Sequence, residues 1–435
     1  MLRSISLCTV LLLLTGALTM RADDAVSDDL RSRVLTLEEQ VRLLQLELAA
    51  LRASDDSASP VDSKAPADVP QPLDMSDVGL VGESAEPPSP YTGPTHDVRS
   101  ASRSQGGTFN PDIGVIGNLL GATGSAAESP AIAALPSWTL QESEASFQAV
   151  IDPYARADFF LAFGEEGVEV EEGYASFTAL PAGLLARVGK MRATFGRLNA
   201  FHNHSLPWAD RPIVMFNLLG GATDEPDTGI KDAGISVSRL FGVGPVVMEA
   251  TGEIFRGDSG TLFEASDRSD VAMLGHVKSY LDLSESNNIE LGLSGARGHN
   301  DEGSGFLTRL YGVDVTYRWR PLARSIYKSF AARSELIWSD REEEGGDQRA
   351  FGWYAPADYQ FSRRWTAGIR FDRSDRATDA HLTDRGASAI LTFRPSEFSQ
   401  LRWQFRRSEF AGQEAADELL LQLLFTIGAH GAHPF

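Results

Sequence analysis

A two-residue rhythm over residues 108–435 constrains this chain more than any other feature. Trp365, Ala367, Ile369 and Phe371 alternate with Thr366, Gly368, Arg370 and Asp372. Leu401, Trp403 and Phe405 alternate with Arg402, Gln404 and Arg406, and Val313, Val315, Tyr317 and Trp319 with Asp314, Thr316, Arg318 and Arg320. Ala157, Phe159, Leu161 and Phe163 repeat the pattern around Asp158. Successive side chains of a strand point to opposite faces, so each stretch builds a strand with one apolar and one polar face. Many of these stretches run 11 to 15 residues. Soluble strands average about 5–6 residues, whereas a tilted membrane strand needs about 9–11. Trp319, Trp338, Trp365 and Trp403 fall near strand ends, where a membrane barrel carries its aromatic girdles.

Turn residues divide the region into sixteen predicted strands: 113–121, 140–150, 153–164, 168–180, 183–196, 229–240, 245–257, 270–284, 288–298, 306–320, 326–340, 349–362, 364–375, 384–395, 398–409 and 416–427. The even number suits a bacterial barrel. Connections after even strands are short, as at 151–152, 241–244 and 363. Those after odd strands are longer, as at 122–139, 197–228, 258–269, 299–305 and 376–383, with 165–167 the exception. Short periplasmic turns and longer external loops are the habit of outer-membrane barrels. The expected fold is therefore all-β, a transmembrane antiparallel β-barrel of about 16 strands contacting outer-membrane lipid.

The N-terminal part reads differently. Residues 1–22 carry Arg3, an apolar run from Ile5 to Thr19 and small residues up to Ala22, the layout of a signal peptide. Cys8, the one cysteine, falls inside that segment, which leaves a mature chain without disulfides or thiol chemistry. In residues 23–52, Leu30, Leu37, Leu44 and Leu51 recur at sevens with Val34, Val41 and Leu48 between them. That is the seam of a coiled coil, expected to lie in the periplasm. Residues 53–107 hold Pro60, Pro66, Pro70, Pro72, Pro87, Pro88, Pro90 and Pro94 among small polar residues and read as a disordered linker.

Composition narrows the function. Asp plus Glu outnumber Lys plus Arg by 60 to 39, a net charge of −21, which disfavours nucleic acid as a partner. No nucleophile-elbow, P-loop, His-Glu-x-x-His or paired-cysteine pattern occurs, so neither an enzyme nor a cofactor is expected.

Three stretches carry a family likeness. One is Asn110-Pro111-Asp112-Ile113-Gly114-Val115-Ile116-Gly117; another joins Asp152-Pro153-Tyr154-Ala155-Arg156-Ala157-Asp158 to Val168-Glu169-Val170-Glu171-Glu172-Gly173-Tyr174. The third runs Gly189-Lys190-Met191-Arg192-Ala193-Thr194-Phe195-Gly196-Arg197-Leu198-Asn199, then His202-Asn203-His204 and Leu206-Pro207-Trp208-Ala209-Asp210-Arg211-Pro212. Over residues 108–435 the chain resembles the phosphate-selective porin family and related uncharacterised outer-membrane barrels. The resemblance implies a channel for passive diffusion of small solutes, often a trimer. It leaves two other readings open: a structural tether between membrane and cell wall, and a barrel for metal-related uptake.

Two sets of side chains are candidate sites. Arg318, Arg320, Arg370, Arg394, Arg402 and Arg406 fall on polar faces and should line the lumen. Such a row can attract anionic solutes, or it can pair with acids such as Asp314, Asp372 and Glu335 and stiffen the wall. The connection 197–228 is the longest and has apolar residues to pack with. It is expected to bend into the barrel as a constriction lined by His202, Asn203, His204, Asp210 and Arg211, with Asp210 and Arg211 able to pair. His202 and His204, and near the C-terminus His430 and His433, have short metal-type spacings. The two pairs fall at opposite ends of the barrel, so polar loop residues are the favoured reading and no metal is expected. A homo-oligomer, a trimer before other states, is expected through the coiled coil and the barrel wall.

Overall fold

A computed structural model of the chain describes residues 111–428, apart from 126–127, 142, 165–166, 221–227 and 261. The signal segment, coiled coil and linker read from the sequence lie outside the described residues, as do His430, His433 and Phe435.

Nineteen strands are described, of which three are short: Trp138–Leu140, Asp258–Ser259 and Phe263–Glu264. The other sixteen form the wall: β1 (Asp112–Gly124), β2 (Ser143–Asp152), β3 (Ala155–Gly164), β4 (Gly167–Phe177), β5 (Leu184–Arg192), β6 (Lys231–Val243), β7 (Val246–Phe255), β8 (Ala272–Ser284), β9 (Asn287–Asn300), β10 (Gly303–Trp319), β11 (Ser329–Arg341), β12 (Gln348–Ser362), β13 (Trp365–Arg376), β14 (Asp379–Ser396), β15 (Ser399–Glu409) and β16 (Ala416–Gly428). Each pairs antiparallel with the next, and β1 closes the ring on β16, from Gly114 opposite Gly428 to Gly124 opposite Glu418. The all-β class and the strand count stand as read from the sequence.

Burial is inverted relative to a soluble protein. Ile235, Leu293 and Phe371 are 52%, 59% and 50% exposed, while their sequence neighbours Ser236, Ser294 and Asp372 are buried. An apolar outer wall around a polar interior suits lipid outside. At the short-turn end an aromatic belt follows the register: Trp319 faces Phe330, Phe330 faces Tyr359, and Trp365 faces Phe393. The Trp365 and Trp403 rings stack with centroids 6.2 Å apart.

The long connections differ from expectation in three places. The expected loops 299–305 and 376–383 are mostly strand, because β9–β10 and β13–β14 zip on to turns at 301–302 and 377–378. Polar cross-strand contacts extend the second hairpin, with Thr383 Oγ1 donating to Asp375 Oδ1 at 2.7 Å. In the opposite sense, the third connection on the long-loop side, here the third loop, begins at 193 rather than 197 and ends at 230. It contains the one α-helix among the described residues, α1 (Ile213–Leu218).

Candidate functional site

The third loop turns into the barrel because its neck is tied. Asn199 Nδ2 donates to the carbonyls of Ala193 (2.8 Å) and Ile230 (2.9 Å), and the Ile230 amide donates back to Asn199 Oδ1 at 2.8 Å. One side chain thus bridges both limbs. The entering limb is held by polar groups of distant strands. The Thr194 amide and hydroxyl donate to Glu253 on β7, the Gly196 amide to Ser294 on β9, and Arg197 to Glu290 on β9 at 2.6 Å. Gly196 has φ +57°, and a Cβ there would sit 1.6 Å from Glu335 Oε1 on β11. Only glycine gives this turn both its hand and its clearance.

Beyond the neck the loop crosses to the far wall. Arg402 on β15 donates to the carbonyls of Leu206 (2.8 Å) and Trp208 (2.7 Å), and Gln404 accepts from the Ala209 amide. Asp210 is the polar anchor. Its carboxylate meets Arg370 on β13 at 3.1 Å and Arg406 on β15 at 2.9 Å, and Gln404 Nε2 donates to it at 2.6 Å. Burial pushes the Asp210 carboxyl up, but Arg370 and Arg406 outweigh it and bring it down to about 2. Trp208, 1% exposed, lies edge-on to Tyr354 and under the Arg370 guanidinium. Helix α1 then lies on the wall, where a Cβ on Gly352 would be 2.5 Å from Val214. Asn217 Nδ2 donates to Asp384 at 2.9 Å. Phe195, Leu198, Leu206, Trp208, Val214 and Met215 share one buried core with wall residues such as Tyr354 and Ile390.

The near wall holds the histidines. His202 Nδ1 is 2.7 Å from Glu144 on β2 and 3.1 Å from Glu171 on β4, while Nε2 is 2.7 Å from Glu172. His204 Nδ1 lies 3.7 Å from Glu144. Adjacent residues of a strand ordinarily face opposite ways. Here the register slips between Phe160 and Leu161, leaving Glu171 bulged so that it and Glu172 are both buried. Burial opposes charge on His202, yet Glu171 and Glu144 hold its pKa well above the ordinary imidazole range.

Of the five constriction residues read from the sequence, all belong to this intruding loop. Asp210 and Arg211 do not pair: Asp210 turns to β13 and β15, whereas Arg211 Nε donates to Asn203 Oδ1 at 2.7 Å. Of the arginine row, Arg370, Arg402 and Arg406 hold the loop, and Arg318 pairs with Glu290 at 3.1 Å. Arg394 donates to the Thr366 hydroxyl, and Arg320 is exposed beyond the end of β10. Of the acids expected to pair with the row, Asp372 takes Arg370 at 2.8 Å, whereas Glu335 accepts from the Tyr354 hydroxyl. Sequence reading missed Glu144, Glu171, Glu172, Asn199 and Gln404. The doubled acid in Val170-Glu171-Glu172-Gly173 was the one available signal, since it breaks the alternation.

On the long-loop side of the third loop lies a cavity of about 770 Å³, lined by Leu135, Phe163, Glu171, Arg211, Arg406 and Phe410 among others. The site is thus a barrel mouth lined by apolar and charged side chains together and floored by a clamped loop.

No known family profile matches the chain. An uncharacterised protein of Aquifex aeolicus (strain VF5) is 28% identical over 344 residues, covering 68% of this chain and 70% of that one. Among solved structures, the outer membrane channel DcaP of Acinetobacter baumannii aligns with a TM-score of 0.48 at 11% identity, covering 73% of this chain and 96% of that chain. The anion-selective porin from Comamonas acidovorans aligns with a TM-score of 0.50 at 13% identity, over 73% of this chain and 99% of that chain. The likeness to the anion-selective porin, together with the closed ring of sixteen strands, shows that the chain has the fold of an outer-membrane porin barrel.

Proposed function

We propose that the chain is a porin-like channel of the outer membrane that passes small solutes by diffusion, and that its third loop sets the cross-section of the path. The observation that carries this reading is the loop's course: from His202 against Glu144 and Glu171 to Asp210 against Arg370 and Arg406, it spans the lumen and is tied at both walls. A polar interior within an apolar outer wall supports conduction of hydrated solutes. His202, Asn203, His204, Asp210 and Arg211 are the constriction residues on this reading.

Selectivity should be modest. Within the arginine row, Arg318, Arg370 and Arg406 are matched by acids and Arg402 by loop carbonyls, which leaves Arg320 and Arg394 with neither among the described residues. We infer a weak preference for anions, in line with the resemblance to phosphate-selective porins. A homo-oligomer assembled through the wall and the periplasmic coiled coil 23–52, a trimer before other states, completes the proposal.

A second reading, a closed barrel acting as a membrane tether, draws on the apolar core that the loop builds inside the barrel. Planar-bilayer recordings of the purified chain separate the two. A channel gives discrete conductance steps, with reversal potentials in a salt gradient displaced slightly toward anions. A tether gives no steps, and a clear cation preference removes the anion assignment.

A further inference from the structure

The carboxylates around His202 are arranged for more than holding a loop. Glu144, Glu171 and His202 each offer one ligand atom within 4.8 Å of the other two, and all three residues are buried. We propose that Glu144, Glu171 and His202 bind a divalent transition-metal ion, which fastens the third loop to β2 and β4.

Four observations converge. First, the imidazole is oriented for it. Glu172 can only accept, so Nε2 donates to it in the 2.7 Å contact, and the ring thereby turns Nδ1 toward Glu144 and Glu171. A divalent ion can take the place of the Nδ1 proton between these groups. A carboxylate on the far nitrogen is also the usual outer support of a metal-bound histidine. Second, the carboxylates are braced from behind. Arg192 takes Glu171 Oε1 through Nε (3.1 Å) and Nη2 (2.8 Å), leaving Oε2 for the site, and the Arg192 amide donates to Glu172 Oε2. Third, Glu144 is 1% exposed, and neither of its oxygens accepts a well-formed hydrogen bond. Among the described residues its ion-pair partners are the two histidines alone. Fourth, the setting suits a dication: Glu144, Glu171 and Glu172 are three buried carboxylates gathered at one place, with the Arg192 guanidinium bound to Glu171. His204 Nδ1, 3.7 Å from Glu144 Oε2, is within reach as a further ligand.

Imidazole with carboxylate oxygen suits Zn²⁺ or Mn²⁺ better than the oxygen-seeking Ca²⁺ and Mg²⁺. Glu171 borders the 770 Å³ cavity, which supplies a way in from the long-loop side. The inference stands whether or not the barrel conducts, since it concerns the loop and the wall alone.

The test is a Zn²⁺ titration of tag-free, chelator-stripped full-length protein in detergent, read by calorimetry. The expected result is one Zn²⁺ per chain, with affinity at least tenfold weaker in Glu144→Gln and in His202→Gln and unchanged in His430→Ala/His433→Ala. Ca²⁺ should bind at least tenfold more weakly than Zn²⁺. Absence of stoichiometric binding in the folded wild type overturns the proposal, as does full binding in folded Glu144→Gln. Should the variants fail to fold, Co²⁺ added to wild type decides. Intense visible bands of a four- or five-coordinate ion support the site, and the faint spectrum of aqueous Co²⁺ refutes it.

Discussion

Arg370 and Asp210, 160 residues apart, meet twice: the guanidinium reaches the carboxylate at 3.1 Å and donates to the backbone carbonyl of the same residue at 2.9 Å. The contact fixes both the side chain and the main chain of the loop against β13. Arg406 and Gln404 close on the same carboxylate from β15. A buried charge with this many partners is stable only while all of them are present.

Replacing Asp210 by Ala removes the shared partner of two buried arginines. Arg370 keeps Asp372 and Arg406 keeps Glu418, so the cost falls below the value of about 3–5 kcal/mol for a buried charge left alone and is taken from the docking of the loop rather than from the barrel. Limited trypsinolysis of the folded protein should then cut after Arg197 in the variant and spare wild type. Equal protection of the two proteins would show that the clamp is dispensable.

The same residue gives a pH dependence. Its carboxyl is brought down to about 2 by Arg370 and Arg406 against the effect of burial, below the value of about 3.9 for a free Asp. A lowered folded pKa contributes stability that is complete above the unfolded pKa and lost as pH falls through the folded one. The advantage of wild type over Asp210→Ala in thermal unfolding should thus be unchanged from pH 7 to about 5, shrink below about 4 and vanish near 2. An advantage that disappears between pH 7 and 5 would contradict this.

What could be read from the sequence follows from what alternation encodes. Period two marks a strand and its faces without reference to any partner, so predicted strands such as 270–284 and 349–362 match Ala272–Ser284 and Gln348–Ser362 closely. The apolar content of Phe201, Leu206, Trp208 and Val214 likewise signalled a loop with something to pack against. Partners were less legible, because they depend on barrel register. Nothing local to Asp210 distinguishes Arg211 beside it from Arg370 across the lumen. Glu171 and Glu172 share a face only because of a slip at Phe160 and Leu161.

Gly196→Ala tests the entry turn. The left-handed backbone costs a residue with a Cβ about 1–2 kcal/mol, and the new methyl would also displace Glu335, whose oxygen lies 1.6 Å from its position. A lower unfolding temperature is expected, read as the temperature at which the unboiled protein loses its compact mobility on a gel. An unchanged temperature would mean that the turn relaxes freely.

Leu293 tests the membrane face. It is 59% exposed, at mid-strand between Val277 and Val313. Leu293→Arg should destabilise the barrel in lipid by about 2–4 kcal/mol, measured by reversible urea unfolding from vesicles. A cost below about 1 kcal/mol would place this position near an interface instead.

The central claim is that the third loop narrows a conducting barrel. Single-channel recording of a variant lacking residues 203–220, checked for folding by gel mobility, addresses it most directly. Conductance steps well above those of wild type are the predicted result. A folded deletion variant with steps of wild-type size, or with none in either protein, would contradict it.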